Sequence, residues 1–319
     1  MEKNRHTFCY VRLLTILTLL SGGYISYAQT DPIFTQYSTS VQSINPAYCG
    51  MWDKGSVQML LKRYYVGVTD APLNQSVSFY SPIKNENNGV GLNVINDLYG
   101  FARRLSLTGD YSYKVKLSIN HFLRLGLKAG VLNFSNALNA YNLDPNNFPD
   151  VNFQEDVDIK YMATWGVGAF MYTNNYYISL SIPQIIKNSF AENRSNYSSL
   201  AELRYVYLTG GYVFKMPHDI VLKPSILIKA AKGAQLQFDL ATNIIFLDKF
   251  WIGAMYRTNK TIAFIAQWVI KDQFKLGYAI DYSISGDIKS YQLGTHEIML
   301  SYEFDPYKRT SYYSRQKYF

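Results

Sequence analysis

Two cysteines and four histidines are all that this 319-residue chain offers for thiol, imidazole or soft-metal chemistry. Cys9 falls in an expected leader, so the processed chain keeps Cys49 alone, which excludes an internal disulfide and a cysteine-based metal site. No His, Cys or carboxylate spacing of metal-site type occurs. The processed chain retains three histidines. His121 and His218 fall in predicted turns, and His296 falls on an outward strand register, without an inward serine beside any of them. A hydrolase-type Ser–His pair is therefore not expected, nor is any enzyme activity, and no catalytic, cofactor-binding or metal-binding residue is assigned. After the N-terminus there is no apolar run of about 18 residues, so no membrane-spanning helix follows. The Lys and Arg are scattered singly along the chain, so the formal charge of +8 is not the footprint of a nucleic-acid binder. Internal repeats and low-complexity tracts are missing too.

What is present begins with a leader. Lys3, Arg5 and Arg12 supply a positive start, Val11 to Leu20 an apolar stretch, and Ser26-Tyr27-Ala28 a small-x-small cleavage site. The expected division is a signal peptide over 1–28, an N-terminal segment over 29–53, a strand-rich body over 54–304 and a basic aromatic tail over 305–319. The segment 29–53 is expected either in the lumen of a barrel as a plug or in the periplasm. Removing the leader lowers the formal charge to +6, because it carries three cations and one acid. Of the aromatic residues, 29 are tyrosines, which suit a boundary where a ring meets lipid and a hydroxyl meets water.

The body alternates with period two. Ile262, Phe264, Ala266, Trp268 and Ile270 form one apolar set, Phe274 to Tyr282 a second, and His296, Ile298, Leu300, Tyr302 and Phe304 a third. Such a period means strands with one apolar and one polar face. Fourteen strands are predicted, at roughly 54–66, 73–82, 88–97, 103–117, 121–134, 164–173, 175–182, 205–215, 219–231, 233–246, 249–257, 261–270, 273–283 and 293–304. An even number of strands of about ten residues, behind an export signal, predicts an all-β transmembrane antiparallel barrel in an outer membrane.

A soluble sandwich alternates as well, and loop parity separates the two. With both termini periplasmic, connections leaving odd strands face outward and are expected to be long, and those leaving even strands short. The long connections Ser135–Ala163 and Pro183–Arg204 leave strands five and seven, and Ile284–Gln292 leaves strand thirteen. The tight turns at 173–175, 215–219, 247–249 and 271–273 all leave even strands.

The inward register collects Lys62, Lys114, Lys116, Arg124, Lys128, Lys223 and Lys229 against Asp110, Asp239, Asp281, Glu297 and Glu303. These are expected to be paired charges of a wet interior rather than a selectivity lining. Gly89–Gly91 and Gly166–Gly168 lie inside alternating strands, so they read as relief for curvature or close packing, not as nucleotide loops. The acidic stretch Asn142–Asp158 lacks the ligand spacing of a calcium loop and reads as a solvated outer loop.

One set of residues resembles a known family. Asp31-Pro32-Ile33-Phe34-Thr35-Gln36-Tyr37 followed by Ile44-Asn45-Pro46-Ala47-Tyr48-Cys49-Gly50 is similar to the start of mature PorP/SprF proteins, with Cys49 where the family usually has Ala. The match continues through Gln75–Phe79, Gly89–Leu92, Leu180–Pro183, Lys223–Ser225 and Phe250–Gly253 to the closing Gly294–Phe304. The resemblance implies an outer-membrane protein of the type IX secretion system of Bacteroidetes. It also implies partners: membrane lipid, a secreted adhesin-like surface protein with a C-terminal sorting domain, and for one branch the periplasmic lipoprotein ring of the machine. Some members are linked to gliding motility. The alternative reading is an outer-membrane channel or transporter for a small hydrophobic molecule.

Overall fold

A computed structural model describes residues 33–51, 54–83, 87–137, 156–186, 203–284, 293–307 and 318. Its strands are β1 (Gly55–Arg63), β2 (Leu73–Pro82), β3 (Asn88–Tyr99), β4 (Ala102–Lys116), β5 (Phe122–Asn136), β6 (Val157–Tyr172) and β7 (Tyr176–Ile182). They continue as β8 (Tyr205–Tyr212, resuming as Phe214–Met216), β9 (Ile220–Ala231), β10 (Gln237–Phe246), β11 (Phe250–Arg257), β12 (Thr261–Ile270), β13 (Phe274–Ser283) and β14 (Thr295–Phe304). The two pieces of β8 are one strand, because Gly211 faces Ser225 and Phe214 faces Leu222 in an unbroken register. The break sits opposite Pro224, which has no N–H to donate to β8, while on the other side Val213 continues the ladder to β7 by donating to Asn175 O at 2.7 Å.

Every strand pairs antiparallel with its chain neighbours, and β14 pairs with β1, so 14 strands close into a barrel with no free edge. The barrel is apolar outside, and inside it mixes buried polar side chains with hydrophobic clusters such as Phe170, Tyr177, Ile245 and Trp251. Along β4, Ser106, Thr108, Asp110 and Ser112 are buried while Leu107, Tyr111 and Tyr113 are exposed. Leu127 is 61% exposed and Ile252 58%, and Met59, Leu125, Leu180, Leu240, Phe264 and Leu300 lie on the same outer surface. Keeping those eight side chains in water forgoes on the order of 10–20 kcal/mol of burial. The belt is stable only against hydrocarbon, as in a transmembrane barrel.

The two ends differ as loop parity predicts. At one end the hairpins are tight. His218-Asp219, Leu247-Asp248 and Lys271-Asp272 each place two successive residues at positive φ, as the central pair of a type I′ turn does, within three-residue connections. The second residue is Asp every time, a side chain that tolerates the left-handed region. The connections 137–156 and 183–204 leave the opposite end.

Strand β6 differs from its predicted span of 164–173, beginning instead at Val157. The β5–β6 ladder runs on through a bulge at Lys160 and Tyr161, where Tyr161 takes φ 60. Tyr161 turns outward and is 79% exposed, so the bulge re-aims an aromatic ring rather than ending the strand. Asp158 therefore lies in a strand and not in a loop. Asp156 lies exposed just before that strand; residues 142–155 of the expected acidic loop, the leader and most of the tail lie outside the described residues. Strand β10 also starts later than predicted, at Gln237.

Candidate functional site

The interior of this barrel is filled by its own chain. Among residues 33–51, all but Thr39 and Ser43 are buried. The segment descends the lumen from the long-loop end to the tight-turn end, touching a new ring of barrel side chains at each step.

The upper contact is ionic. Glu297, near the start of β14, accepts the Thr35 N–H at 2.6 Å and the Gln36 N–H at 3.0 Å. Lys62, near the end of β1, donates to Ile33 O at 3.0 Å and to Thr35 Oγ1 at 2.7 Å. Lys62 Nζ also lies 3.0 Å from Asp281 and 3.5 Å from Glu297. Arg257 completes the cluster, 2.9 Å from Asp239 and 3.9 Å from Asp281. Three carboxylates thus meet two cations. The two backbone N–H groups and the Thr35 hydroxyl offset the excess negative charge, so this ring of side chains is balanced only with the segment seated.

Below it, Gln267 Nε2 donates to Gln36 Oε1 at 3.0 Å, and Lys223 Nζ to Ser38 O at 3.3 Å. The Lys223 ammonium also sits 5.5 Å above the Trp251 ring, a cation–π arrangement. Gln42 Nε2 reaches Asp110 Oδ2 at 3.2 Å, which Asn93 Nδ2 also approaches at 2.6 Å.

The lower contact belongs to the Asn45-Pro46-Ala47-Tyr48-Cys49-Gly50 run. Asn45 Oδ1 caps a one-turn 3₁₀ helix at Ala47 N (2.8 Å), and Pro46 supplies the fixed φ of its first position. The Asn45 amide donates to Ala169 O (3.1 Å) and Ser179 Oγ (2.6 Å), tying the turn to β6 and β7. Ser181 Oγ donates to Ile44 O at 2.7 Å. Cys49 O accepts from Arg124 Nη1 at 3.1 Å and from the Ser112 hydroxyl. Tyr48 packs edge-on to Phe170, with ring centroids 5.7 Å apart. At the mouth, Tyr318 donates to Asp248 Oδ1 at 2.6 Å. Burial, with help from Asp248, holds that phenol above the ordinary tyrosine range.

Glycine makes this fit possible. A Cβ on Gly89 would overlap Cys49 O, one on Gly91 would overlap the Gln42 amide, one on Gly126 the Ala47 nitrogen, and one on Gly168 the Asn45 carboxamide. The paired glycines of β3 and Gly168 of β6 thus serve close packing against this segment, whereas Gly166 of β6 makes room for the Pro183 carbonyl.

The inward charges are therefore the seat of a plug. Lys62, Arg124, Lys223, Asp110, Asp281 and Glu297 each touch it or hold a group that does. Lys128 pairs with Asp110 at 3.4 Å, and Lys229 lies 4.0 Å over the Tyr205 ring. Glu303 pairs with Lys275 at 2.6 Å near the tight-turn mouth. Lys116 keeps the inward register, opposite Phe122, but lies exposed where β4 ends. The residues that sequence reasoning missed are the small polar ones, Thr35, Gln36, Gln42, Asn45 and Ser181. The available signal was the order of polar residues in the opening motif, matched by glycines at inward positions downstream.

The histidines are peripheral. His121 Nδ1 is 3.4 Å from Ser118 Oγ in the β4–β5 turn, His218 sits in a tight turn, and His296 Nδ1 is 2.5 Å from Tyr278 Oη on the outer face. Among the described residues, no three His, Cys, Asp or Glu side chains are grouped to hold a metal. A cavity of about 70 Å³ beside the plug, lined in part by Asp97, Arg104 and Lys128, has room for several waters.

A family described as type IX secretion system membrane protein PorP/SprF matches residues 26–302. No curated protein matches the chain. Among solved structures, a Pseudomonas aeruginosa FadL homologue is 13% identical, with 89% of this chain and 97% of that one covered and a TM-score of 0.46. The Pseudomonas putida toluene transporter TodX is 11% identical, covering 87% and 95%, with a TM-score of 0.46. The Acinetobacter baumannii outer membrane protein Omp33 is 9% identical, covering 80% and 99%, with a TM-score of 0.45.

Proposed function

This chain belongs to the PorP/SprF family, an outer-membrane component of the type IX secretion system, and on that premise we propose that it docks a secreted partner rather than conducting a solute. The partner is a surface protein with a C-terminal sorting domain, adhesin-like, which the barrel helps export or holds at the cell surface. A role in gliding motility and contact with the periplasmic lipoprotein ring belong to the same reading, and the protein acts without catalysis.

The observation that carries the proposal is the filled lumen. A segment hydrogen-bonded to the wall at both ends, over buried charges that it helps to neutralise, leaves its outer loops and rims as the surfaces on which a folded partner can act. With the tight turns periplasmic, the long connections 137–156 and 183–204 face outward, where a surface protein is retained.

The test is purification of the intact barrel from its own cells in mild detergent after crosslinking. A secreted protein with a sorting domain should co-purify, and deleting that domain should abolish recovery. If neither such a protein nor a ring lipoprotein is recovered, the docking reading is wrong.

A further inference from the structure

The outward register of the described strands is largely apolar, and at the long-loop end a polar row interrupts it across β1 to β4. Arg63, Gln75, Asn96 and Arg103 all point outward there. Arg63 and Arg103 lie on one pairing line, through Leu73 and Leu98. Their Cα atoms are three strand spacings apart, about 14 Å.

The hydrogen bonds in this row have a forced direction. Arg103 Nε donates to Asn96 Oδ1 at 2.8 Å, and a guanidinium can only donate. The Asn96 amide must therefore present its nitrogen to Gln75, whose Oε1 accepts it at 2.8 Å. That fixes the Gln75 amide as well and leaves its NH₂ directed away from the row. The amide oxygens are consumed internally, so the row faces its surroundings with N–H donors and two positive charges. His296, beside Arg63, has both ring nitrogens engaged, with Tyr278 Oη and Leu293 O. Along the strands, the next outward carboxylate on this line is Asp158, two strands beyond Arg103, and Lys160 pairs with it at 3.1 Å; Asp70 lies exposed in the β1–β2 connection.

We propose that this row binds the phosphate of an outer-leaflet lipid headgroup, with Arg63, Gln75 and Arg103 as donors. Two features select a lipid over a soluble anion. Directly below the row, toward the membrane centre, the same strands present Leu61, Val77, Leu92 and Leu107 outward, a surface for acyl chains. An arginine at such a boundary is tolerated when it reaches headgroup level, and a phosphate there gives it a charge-assisted, two-pronged partner. The inference does not depend on the docking proposal, since it concerns the lipid-facing side of the wall.

The experiment titrates the processed, detergent-purified protein with lipid A carrying its phosphates, with the dephosphorylated lipid, and with inorganic phosphate, following bound lipid by native mass spectrometry. The phosphorylated lipid should bind at least about tenfold more tightly than the dephosphorylated one. The variant R63Q/R103Q should lose that discrimination, and R63K/R103K should keep part of it. Heat-modifiable migration verifies that each variant retains the barrel, and the comparison of two lipids on the unaltered protein needs no variant. Equal binding of both lipids, or undiminished discrimination in R63Q/R103Q, overturns the proposal. Displacement of the lipid by millimolar inorganic phosphate overturns its lipid part and leaves a soluble-anion site.

Discussion

Replacing Gly126 by alanine adds one methyl group to the inner wall, and the plug makes that methyl costly. In an empty barrel a strand Gly→Ala change is neutral or stabilising by about 0.4–1 kcal/mol, because the unfolded chain loses freedom. Here the new Cβ overlaps the backbone nitrogen of Ala47, with the Ala47 Cα and the Pro46 carbonyl carbon close behind. No flexible side chain is available to yield, so the plug or the wall must move, at about 1–3 kcal/mol. If the plug absorbs it, its seating equilibrium falls by a factor of about 5 to 150. Cys49 reports that equilibrium: it is fully buried, two residues from Ala47, and is the one thiol left after the expected leader is removed. The assay is the rate at which a water-soluble maleimide labels Cys49 in the folded, detergent-solubilised protein. G126A should label about 5 to 150 times faster than the unaltered protein. Gly109→Ala is the control, since its Cβ meets nothing nearer than 3.9 Å, and its rate should stay unchanged. Equal labelling of G126A and the parent, with both verified as closed barrels, would refute a lumen packed against Gly126.

Further perturbations test the upper contact and the mouth. Glu297→Ala removes the acceptor of two backbone N–H groups, each worth about 1–3 kcal/mol when buried without a partner, so exchange of the Thr35 and Gln36 amides should accelerate roughly a hundredfold or more. Lys62→Met leaves Asp281 and Glu297 buried without their shared ammonium and should cost about 3–5 kcal/mol, read as a lower thermal midpoint in detergent. Tyr318→Phe deletes only the hydrogen bond to Asp248, so a loss of about 1 kcal/mol, with no change in lumen accessibility, is expected from the same melt.

Much of the architecture is legible in the sequence because the solvent is two-sided. A strand between lipid and a wet lumen must alternate, and a one-residue slip would put Lys62 and Glu297 into hydrocarbon, so the period fixes both register and face. The turns are legible for a related reason: Leu247-Asp248-Lys249 and Lys271-Asp272-Gln273 sit where only three residues separate apolar sets, too few for anything but a tight hairpin. Strand β6 was misread because a bulge at Lys160 and Tyr161 breaks the alternation locally while the ladder continues. The plug was the hardest part to place. Residues 33–51 have no period, since the wall surrounds them with polar and apolar side chains alike, and their partners are up to 262 positions away in the chain. Nothing local in Thr35 or Gln36 announces that a backbone N–H will meet Glu297. The glycines hint at it, as inward positions kept without a side chain that match the order of polar residues in the opening motif.

The ionic conductance of the intact protein in a planar bilayer tests most directly whether the lumen is a sealed wall rather than a path. The processed barrel should insert without opening steps, and a form lacking residues 33–51 should conduct. Steady, ion-selective channels from the unaltered protein would contradict the account.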